Sequence, residues 1–248
     1  MKLFIAEKPS LGRAVADVLP KPHQKGDGFI KVGNVHIVTW CIGHLLEQAE
    51  PDAYNPAFKK WSIEHLPIIP SDWKLVVKSK TKKQFNVVKK LIKDADVLVN
   101  LGDPDREGQI LIDEMINYCG ASEQKKKAAL RCLVSDLNPS AVKKALNDLR
   151  PNTEFLSLSI SALARARADW LYGMNMTRMC TLQGQKGGYQ GVLSIGRVQT
   201  PVLGLVVHRD LEIENFVSKS FYEVVATLQT EKGEVYKGKW KPSKACVF

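Results

Sequence analysis

The sequence predicts an α/β fold with a mainly parallel sheet flanked by helices, followed by a mostly helical region and the start of a β domain. Two short apolar runs, Lys2–Ala6 (KLFIA) and Val97–Leu101 (VLVNL), each precede a segment whose apolar residues recur at helical spacing. Strands that alternate with helices build βαβ units, in which neighbouring strands run parallel. A change of composition at residues 150–152 indicates where this part ends.

The N-terminal segment predicts a strand, a turn, a helix and then a hairpin. Pro9 and Ser10 suit a helix start, because proline lacks an N–H that the first turn leaves unpaired. Residues 28–40 (GFIKVGNVHIVTW) alternate around a Gly-Asn turn, which predicts the hairpin. Residues 50–73, rich in proline and aromatic residues, are expected to form an ordered surface excursion and not a linker.

Residues 74–149 are predicted to contain three more helices. Residues 74–93 contain eight lysines and no acidic residue, and their apolar positions share one helical face. The lysines fit either a solvated helix face or direct contact with an anionic partner, and the pattern leaves both open. A second helix is predicted after Gly108, and a third runs from Asn138-Pro139-Ser140 to Leu149, after a short apolar run at residues 131–134.

Three regions are therefore predicted, covering residues 1–153, 154–216 and 217–248. The second is expected to be largely helical. In the third, residues 221–240 alternate in the manner of β-strands, and the chain ends soon afterwards at Phe248. A single hairpin is marginally stable alone, so we expect a β domain that is cut off.

Composition narrows the class of protein. With 44% hydrophobic residues the chain can bury a core, which excludes disorder. Thirty-six basic against 26 acidic residues give a net charge of +10, which favours an anionic partner such as nucleic acid or an acidic membrane face. Five scattered cysteines argue against a disulfide framework and a zinc site. The sequence contains neither a signal peptide nor a membrane-spanning run, so a cytoplasmic protein is expected.

Four carboxylates follow the two apolar runs. Glu7 comes directly after the first, and Asp103, Asp105 and Glu107 come after the second. If the two strands are neighbours, these side chains converge at one edge of the sheet, where open α/β sheets place their chemistry. Closely spaced oxygen ligands favour Mg²⁺, and Glu7 is then a candidate general acid or base. The alternative is a D-P-D turn and a helix-start glutamate with no metal.

Two motifs contain these carboxylates, IAEKPS around Glu7 and GDPDREG at residues 102–108. They resemble the Toprim domain of topoisomerases, primases and related nucleases, a Rossmann-like fold, and this resemblance is assigned to residues 1–153. The segments ARARADWLYG (164–173) and SIGRVQTP (194–201) are similar to the two signatures of type IA DNA topoisomerases.

Two further segments narrow the resemblance to the topoisomerase III branch of that family. They are TWCIGHLLEQ (39–48) and the aromatic stretch with Trp61, Leu66-Pro67 and Trp73. The resemblance covers essentially the whole chain, as the N-terminal part of a bacterial enzyme of this type. It implies ATP-independent relaxation or decatenation through cleavage and religation of single-stranded DNA.

The resemblance also implies roles for the acidic site. Glu7 would give a proton to the leaving 3′ oxygen and recover it on resealing. Lys8 would touch the scissile phosphate, where a cation offsets charge on the oxygens. Asp103 and Asp105 would hold Mg²⁺, with Glu7 and Glu107 as further members of the metal site.

A DNA-binding surface is predicted in the helical region. Arginine and glutamine offer donors to phosphate, glycine permits close approach, and tryptophan suits base stacking. The predicted DNA-binding residues are Trp61, Arg165, Trp170, Arg178, Ser194, Ile195, Gly196, Arg197, Val198 and Gln199. Trp170 fits a core position equally well, and Arg167 and Asp169 are interpreted as structural. His44 receives no proton-transfer role.

The tyrosine nucleophile of the family precedes Pro-Arg, and none of the six tyrosines in this sequence does. We therefore expect the nucleophile beyond Phe248, and expect this chain alone to bind DNA without cutting it. Two alternatives stay open, a stand-alone Toprim DNA-binding module and a Toprim nuclease that forms no covalent intermediate. The resemblance further implies a monomer and a possible helicase or single-strand-binding protein as partner.

Overall fold

The computed structural model describes residues 1–241. The chain forms two compact units, Met1–Gln199 and a second that begins at Thr200. Cys246 and the last residues of the predicted region 217–248 lie outside the described residues. The domain boundaries predicted after residues 153 and 216 stay predictions.

The described residues contain eleven strands and seven α-helices. The strands are β1 (Lys2–Ala6), β2 (His23–Gly26), β3 (Phe29–Val32), β4 (His36–Trp40), β5 (Leu46–Gln48), β6 (Leu75–Val77), β7 (Val97–Leu101), β8 (Leu130–Arg131), β9 (Arg150–Pro151), β10 (Val225–Gln229) and β11 (Val235–Lys239). The helices are α1 (Pro9–Val18), α2 (Lys82–Asp94), α3 (Arg106–Tyr118), α4 (Glu123–Lys127), α5 (Pro139–Asn147), α6 (Leu156–Lys186) and α7 (Gln199–Glu214).

A seven-stranded sheet in the order β2-β3-β4-β1-β7-β8-β9 forms the centre of the first unit. Strand β1 lies between β4 and β7 and is parallel to both, and β7 is parallel to β8. The pairs nearer the two edges are antiparallel, because the predicted hairpin extends one edge and the short β9 closes the other. The predicted α/β class is confirmed.

Helices cover both faces of this sheet because the side chains of β1 alternate between them. Leu3 and Ile5 pack in one core with apolar residues of α2 and α3, and Phe4 and Ala6 pack in the other with residues of α1 and α5. The apolar face predicted for the lysine-rich helix is the buried one, formed by Phe85, Val88, Leu91 and Ile92. These two cores fix the carboxyl ends of β1 and β7.

The proline-rich excursion is ordered and packs against helix α6. It contains three short 3₁₀ helices, at Pro51–Ala53, Pro56–Lys59 and Ile63–His65. Asn175 in α6 bonds both the N–H and the carbonyl of Ile68 through its side chain, at 2.6 and 3.0 Å. Helix α6 and the excursion therefore form one framework within the first unit.

The second unit contains most of α7 and an antiparallel hairpin of β10 and β11. The hairpin agrees with the alternation predicted for residues 221–240. Across residues 1–241, no helix is both long enough and apolar enough to span a membrane.

Candidate active site

Glu7 and Asp103 meet where the two central strands end. Strands β1 and β7 pair in register, with Ala6 opposite Leu101, so the residues that follow them lie side by side. The backbone N–H of Asp103 donates a hydrogen bond to Glu7 Oε2 at 2.8 Å. The two strands are neighbours, which was the condition for the carboxylates to converge, and the backbone of Asp103 is bonded to the side chain of Glu7.

Lys8 places a cation on the same loop. Its Nζ lies 2.7 Å from Asp103 Oδ2, with both side chains partly exposed. The hydrogen bond to Asp103 raises the pKa of Lys8, and the charges of Asp103, Glu7 and Asp105 act in the same direction. Because both side chains are partly exposed, the Lys8–Asp103 ion pair adds little to the stability of the fold. Its main effect is to hold the carboxylate of Asp103 next to the ammonium group of Lys8.

Asp105 begins helix α3. Its Oδ1 accepts a hydrogen bond from the N–H of Gly108 at 2.7 Å, which satisfies one of the unpaired donors of the helix start. Its own N–H donates to the carbonyl of Asp103 at 2.7 Å. The carboxylate is therefore fixed at the positive end of the helix dipole, where a negative charge is favoured.

The loop and the first turn of α3 touch at two glycines. A Cβ on Gly102 would lie 1.9 Å from the carbonyl oxygen of Gly108. A Cβ on Gly108 would lie 2.4 Å from the nitrogen of Asp103 and 2.8 Å from Glu7 Oε2. Only the absence of both side chains lets the acidic residues approach each other this closely.

Glu107 pairs with an arginine of helix α6. Its Oε1 lies 3.5 Å from a guanidinium nitrogen of Arg165. Arg165 in turn lies 3.7 Å from Asp169, which accepts a 2.6 Å hydrogen bond from Arg197 Nε. A chain of charged groups thus connects the first turn of α3, next to the loop of residues 102–105 (the acidic loop), to the SIGRVQTP segment. Sequence reasoning did not identify Asp169 as its central member, because the partners are distant in the chain.

The carboxylates of this site are too few and too far apart to surround a divalent cation without other ligands. Within residues 1–241, no group of three or more His, Cys, Asp or Glu side chains is gathered closely enough to hold a metal ion alone. Asp103 and Asp105 instead line an open cleft of about 450 Å³ together with Lys8. This arrangement fits Mg²⁺, which commonly binds through one or two carboxylates and completes its shell with phosphate and water.

Three of the predicted DNA-binding residues are occupied in packing. Trp170 donates to the carbonyl of Ala49 at 3.1 Å, and its ring packs edge-on against Trp73 at 5.5 Å. Arg178 is 5% exposed, donates to the carbonyl of Phe58 at 2.7 Å and lies over the ring of Trp61 at 5.1 Å. These side chains hold the excursion on α6, and their contact with DNA stays a prediction.

Arg165 lies in α6, and the remaining predicted DNA-binding residues, Ser194–Gln199, lie on a segment that two threonines attach to this helix. The N–H of Ile195 donates to Thr177 Oγ1 at 2.9 Å, and the N–H of Leu193 donates to Thr181 Oγ1 at 2.9 Å. Ser194, Arg197, Val198 and Gln199 are exposed, whereas Ile195 and Gly196 are half-buried. The segment therefore presents polar donors from a backbone held in place. The i, i+4 spacing of the threonines was the signal that could have revealed this attachment.

A small cavity of about 210 Å³ is lined by Glu107 and by four further titratable groups, His44, Glu47, Lys78 and Glu114. Burial lowers the pKa of His44. Burial, with the charge of Glu107, raises the pKa of Glu114 to about 7, and Arg167 opposes the shift. Glu114 is a residue of α3 that sequence reasoning did not single out.

Replacing Glu114 with glutamine is expected to change how stability depends on pH. Between pH 4.5 and about 7 the folded chain holds a proton at Glu114 that the unfolded chain releases, so the free energy of unfolding falls as pH rises. Glutamine does not titrate, so the Glu114→Gln variant should not show this fall in the free energy of unfolding. Urea unfolding should show the variant gaining on the order of 2 kcal/mol relative to wild type between pH 5 and pH 8. Parallel pH profiles would contradict the assignment.

Two family models match this chain, and the first of them covers the strands that carry the acidic site. A family model described as the Toprim domain matches residues 2–137, and one described as DNA topoisomerase matches residues 154–246. The chain is 62% identical to a protein named DNA topoisomerase 3 from Haemophilus influenzae, over 99% of the chain and 39% of the relative. It is 58% identical to the protein of the same name from Salmonella typhimurium, over 99% of the chain and 38% of the relative.

A solved structure, full-length topoisomerase I from Thermotoga maritima, covers 93% of this chain and 33% of its own, with a TM-score of 0.57. At 19% identity this likeness concerns the fold alone. The chain spans about two fifths of the length of the curated relatives it matches, and corresponds to their N-terminal part.

Proposed function

This chain belongs to the Toprim domain family, and on that premise we propose that it is the N-terminal part of a type IA DNA topoisomerase of the topoisomerase III branch. One observation carries the proposal. The N–H of Asp103 donates to Glu7 Oε2 at 2.8 Å, where two parallel strands end together. Such an edge of an open α/β sheet is where ligands and chemistry are expected.

Glu7 is the proton donor in this proposal. Its carboxyl protonates the 3′ oxygen that leaves when a phosphodiester bond is broken, and takes the proton back when the bond is remade. Lys8, beside Asp103, offsets the negative charge that develops on the phosphate oxygens. The backbone bond from Asp103 holds Glu7 in place for both directions of the reaction.

Mg²⁺ is the proposed cofactor, held by Asp103 and Asp105 with Glu7 close by. When bound, it would neutralise phosphate charge in the cleft. Glu107, paired with Arg165, is proposed to be a nearby or water-mediated partner of this site and not a direct ligand. A DNA phosphate that takes over Arg165 would release Glu107 towards the cleft.

Single-stranded DNA is the proposed substrate, with Arg165 and the segment Ser194–Gln199 on its backbone. Ser194, Arg197 and Gln199 are exposed and carry donors for phosphate. Asp169 holds Arg197 in a two-contact pair at 2.6 and 3.3 Å. Phosphate and Asp169 therefore compete for the same guanidinium.

Replacing Arg197 with alanine is expected to weaken single-strand binding and to lower the slope of log affinity against log salt by about one. Each phosphate contact releases roughly one counterion, so the slope counts the contacts. Fluorescence anisotropy with a labelled oligonucleotide across a salt series measures both. Arg209→Ala is the matched control, since Arg209 pairs with Glu212 outside the proposed surface. An unchanged slope for Arg197→Ala would remove this residue from the interface.

The remaining features of the proposal concern the whole protein. The tyrosine nucleophile is proposed to lie in the part of the relatives that this chain does not span, and ATP is not required. Relaxation or decatenation of DNA in the bacterial cytoplasm is the proposed outcome, by a monomer that works beside a helicase or a single-strand-binding protein.

A chimeric protein tests the function directly. This chain replaces the matching 39% of the Haemophilus influenzae relative, and end-labelled single-stranded DNA is trapped with detergent in the presence of Mg²⁺. The chimera is expected to form a covalent band and to relax supercoiled DNA without ATP, whereas the chain alone binds DNA without cutting it. Cuts without a covalent band would indicate a metal-dependent nuclease instead. A covalent band from the chain alone would place the nucleophile among its own tyrosines.

A further inference from the structure

Among residues 1–241, Arg131 is the largest side chain that is fully buried, with 1% of its surface exposed. It belongs to β8, the strand next to β7, and lies beneath the loop that carries the acidic residues. A buried guanidinium is costly unless its donors are satisfied. Within residues 1–241, no carboxylate lies within ion-pairing distance of Arg131, so this charge is not held by a salt bridge.

Backbone carbonyls accept hydrogen bonds from the two terminal nitrogens of Arg131, whereas its buried Nε has no partner among the described residues. One terminal nitrogen, Nη1, donates to the carbonyl of Gly102 at 2.8 Å, and the other, Nη2, donates to the carbonyl of Asp103 at 2.7 Å. Nη1 also reaches the carbonyls of Cys132 at 3.1 Å and Asn100 at 3.2 Å. The planar fork of the guanidinium thus fixes the orientation of two consecutive peptide groups.

Asn100 completes the support from β7. Its Oδ1 accepts the N–H of Gly102 at 2.9 Å and lies 3.3 Å from Arg131 Nη1, while its Nδ2 donates to the buried Asp113 at 3.2 Å. Gly102 is consequently held at its N–H by Asn100 and at its carbonyl by Arg131. The direction of the next residue, Asp103, is determined by these contacts.

The charge of Arg131 also acts on the acidic residues. A guanidinium stays protonated in proteins, so this cation is permanent. Burial lowers the pKa of Arg131, and the negative charges of Asp113, Asp105 and Glu7 act in the opposite direction. Arg131 therefore places a buried positive charge directly beneath the loop that carries Asp103 and Asp105.

We propose that Arg131 is a positioning residue that holds the Gly102–Asp103 backbone so that Asp103, Asp105 and Glu7 are arranged for Mg²⁺ in advance of binding. This inference rests on the proposed function of the acidic site. Partners that orient metal ligands from outside the first shell commonly change metal affinity by 10- to 100-fold. Arg131 is buried and does not line the cleft formed by Lys8, Asp103 and Asp105.

The test compares Arg131→Lys and Arg131→Gln with Arg150→Lys in the purified protein. Arg150 is the matched control because it lies opposite Arg131 in the β8–β9 pair and approaches the same Phe155 ring, yet it pairs with Glu154 at the surface. Calorimetric titration with Mg²⁺ alone measures affinity, and circular dichroism confirms folding. Both Arg131 variants are expected to bind Mg²⁺ about tenfold or more weakly, and Arg150→Lys as wild type does.

A measurement on the wild type covers the case in which both Arg131 variants unfold. The amides of Gly102 and Asp103 are expected to exchange slowly with deuterium in Mg²⁺-free buffer containing a chelator, because the loop is held without the ion. Fast exchange that slows only on adding Mg²⁺ would overturn the inference. So would folded Arg131 variants with wild-type affinity. A wild type that binds no Mg²⁺ would instead reject the proposed metal site itself, and this inference with it.

Discussion

Replacing Glu7 with glutamine is expected to lower the rate of strand cleavage by about 100- to 10,000-fold, the usual contribution of a positioned general acid. Glutamine keeps the size of the side chain and still accepts the hydrogen bond from the N–H of Asp103, so the loop is preserved. It cannot deliver a proton to the leaving 3′ oxygen. Single-turnover cleavage by the chimeric protein, followed by covalent trapping, separates this step from DNA binding.

Single-strand affinity should change little in the Glu7→Gln variant, because Glu7 is not among the proposed phosphate contacts. Glu123→Gln is the matched control, since Glu123 is an exposed glutamate that pairs with Lys126 on α4. That control should cleave at the wild-type rate. A Glu7→Gln variant that cleaves within threefold of wild type would assign the proton to another group, and Lys8 would be the next candidate by position.

The acidic half of this site was predictable because it depends on order along the chain. Glu7 and Asp103 each follow a short apolar run, and the carboxyl ends of adjacent parallel strands share one edge of a sheet. Asp105 also follows a local rule, since aspartate is a favoured residue at a helix start. The main strands and helices of the first unit were also predictable, because the periodicity of their apolar residues is visible in the local sequence.

The support beneath that loop could not be predicted from local pattern. Arginine is rarely buried, so nothing in the short apolar run at residues 131–134 indicated that Arg131 would be a buried cation beneath the acidic loop. The edge strand β2 was missed because His23–Gly26 lacks apolar alternation, and β9 was missed because it contains two residues. Such features are fixed by tertiary neighbours.

The DNA-binding surface shows the same limit. Trp61 and Arg178 have the residue types expected at a phosphate or base contact, but the structure places Arg178 over the ring of Trp61. Asp169 and Arg197 are far apart in sequence, and their pairing follows only from the attachment of the SIGRVQTP segment to α6. Residue type indicates what a side chain can bind, whereas packing decides which groups stay exposed.

Replacing Gly102 with alanine is expected to destabilise the first unit by about 3 kcal/mol or more. The added Cβ would lie 1.9 Å from the carbonyl oxygen of Gly108, a backbone atom that cannot rotate away. The backbone of Gly102 lies outside the left-handed region, so the whole cost comes from this close approach. Thermal unfolding should show the midpoint lowered by roughly 6–12 °C in a chain of this size.

Gly204→Ala is the matched control for this substitution. An added Cβ there would meet none of the described atoms within 4 Å, and alanine favours the helix α7 over glycine. Four of the five tryptophans lie in residues 1–199, so tryptophan fluorescence reports mainly on the first unit, whose transition Gly204→Ala should leave in place. An unchanged midpoint for Gly102→Ala would mean that the loop moves away from α3 at little cost. The contact between Asp103 and Glu7 would then owe nothing to the missing side chain of Gly102.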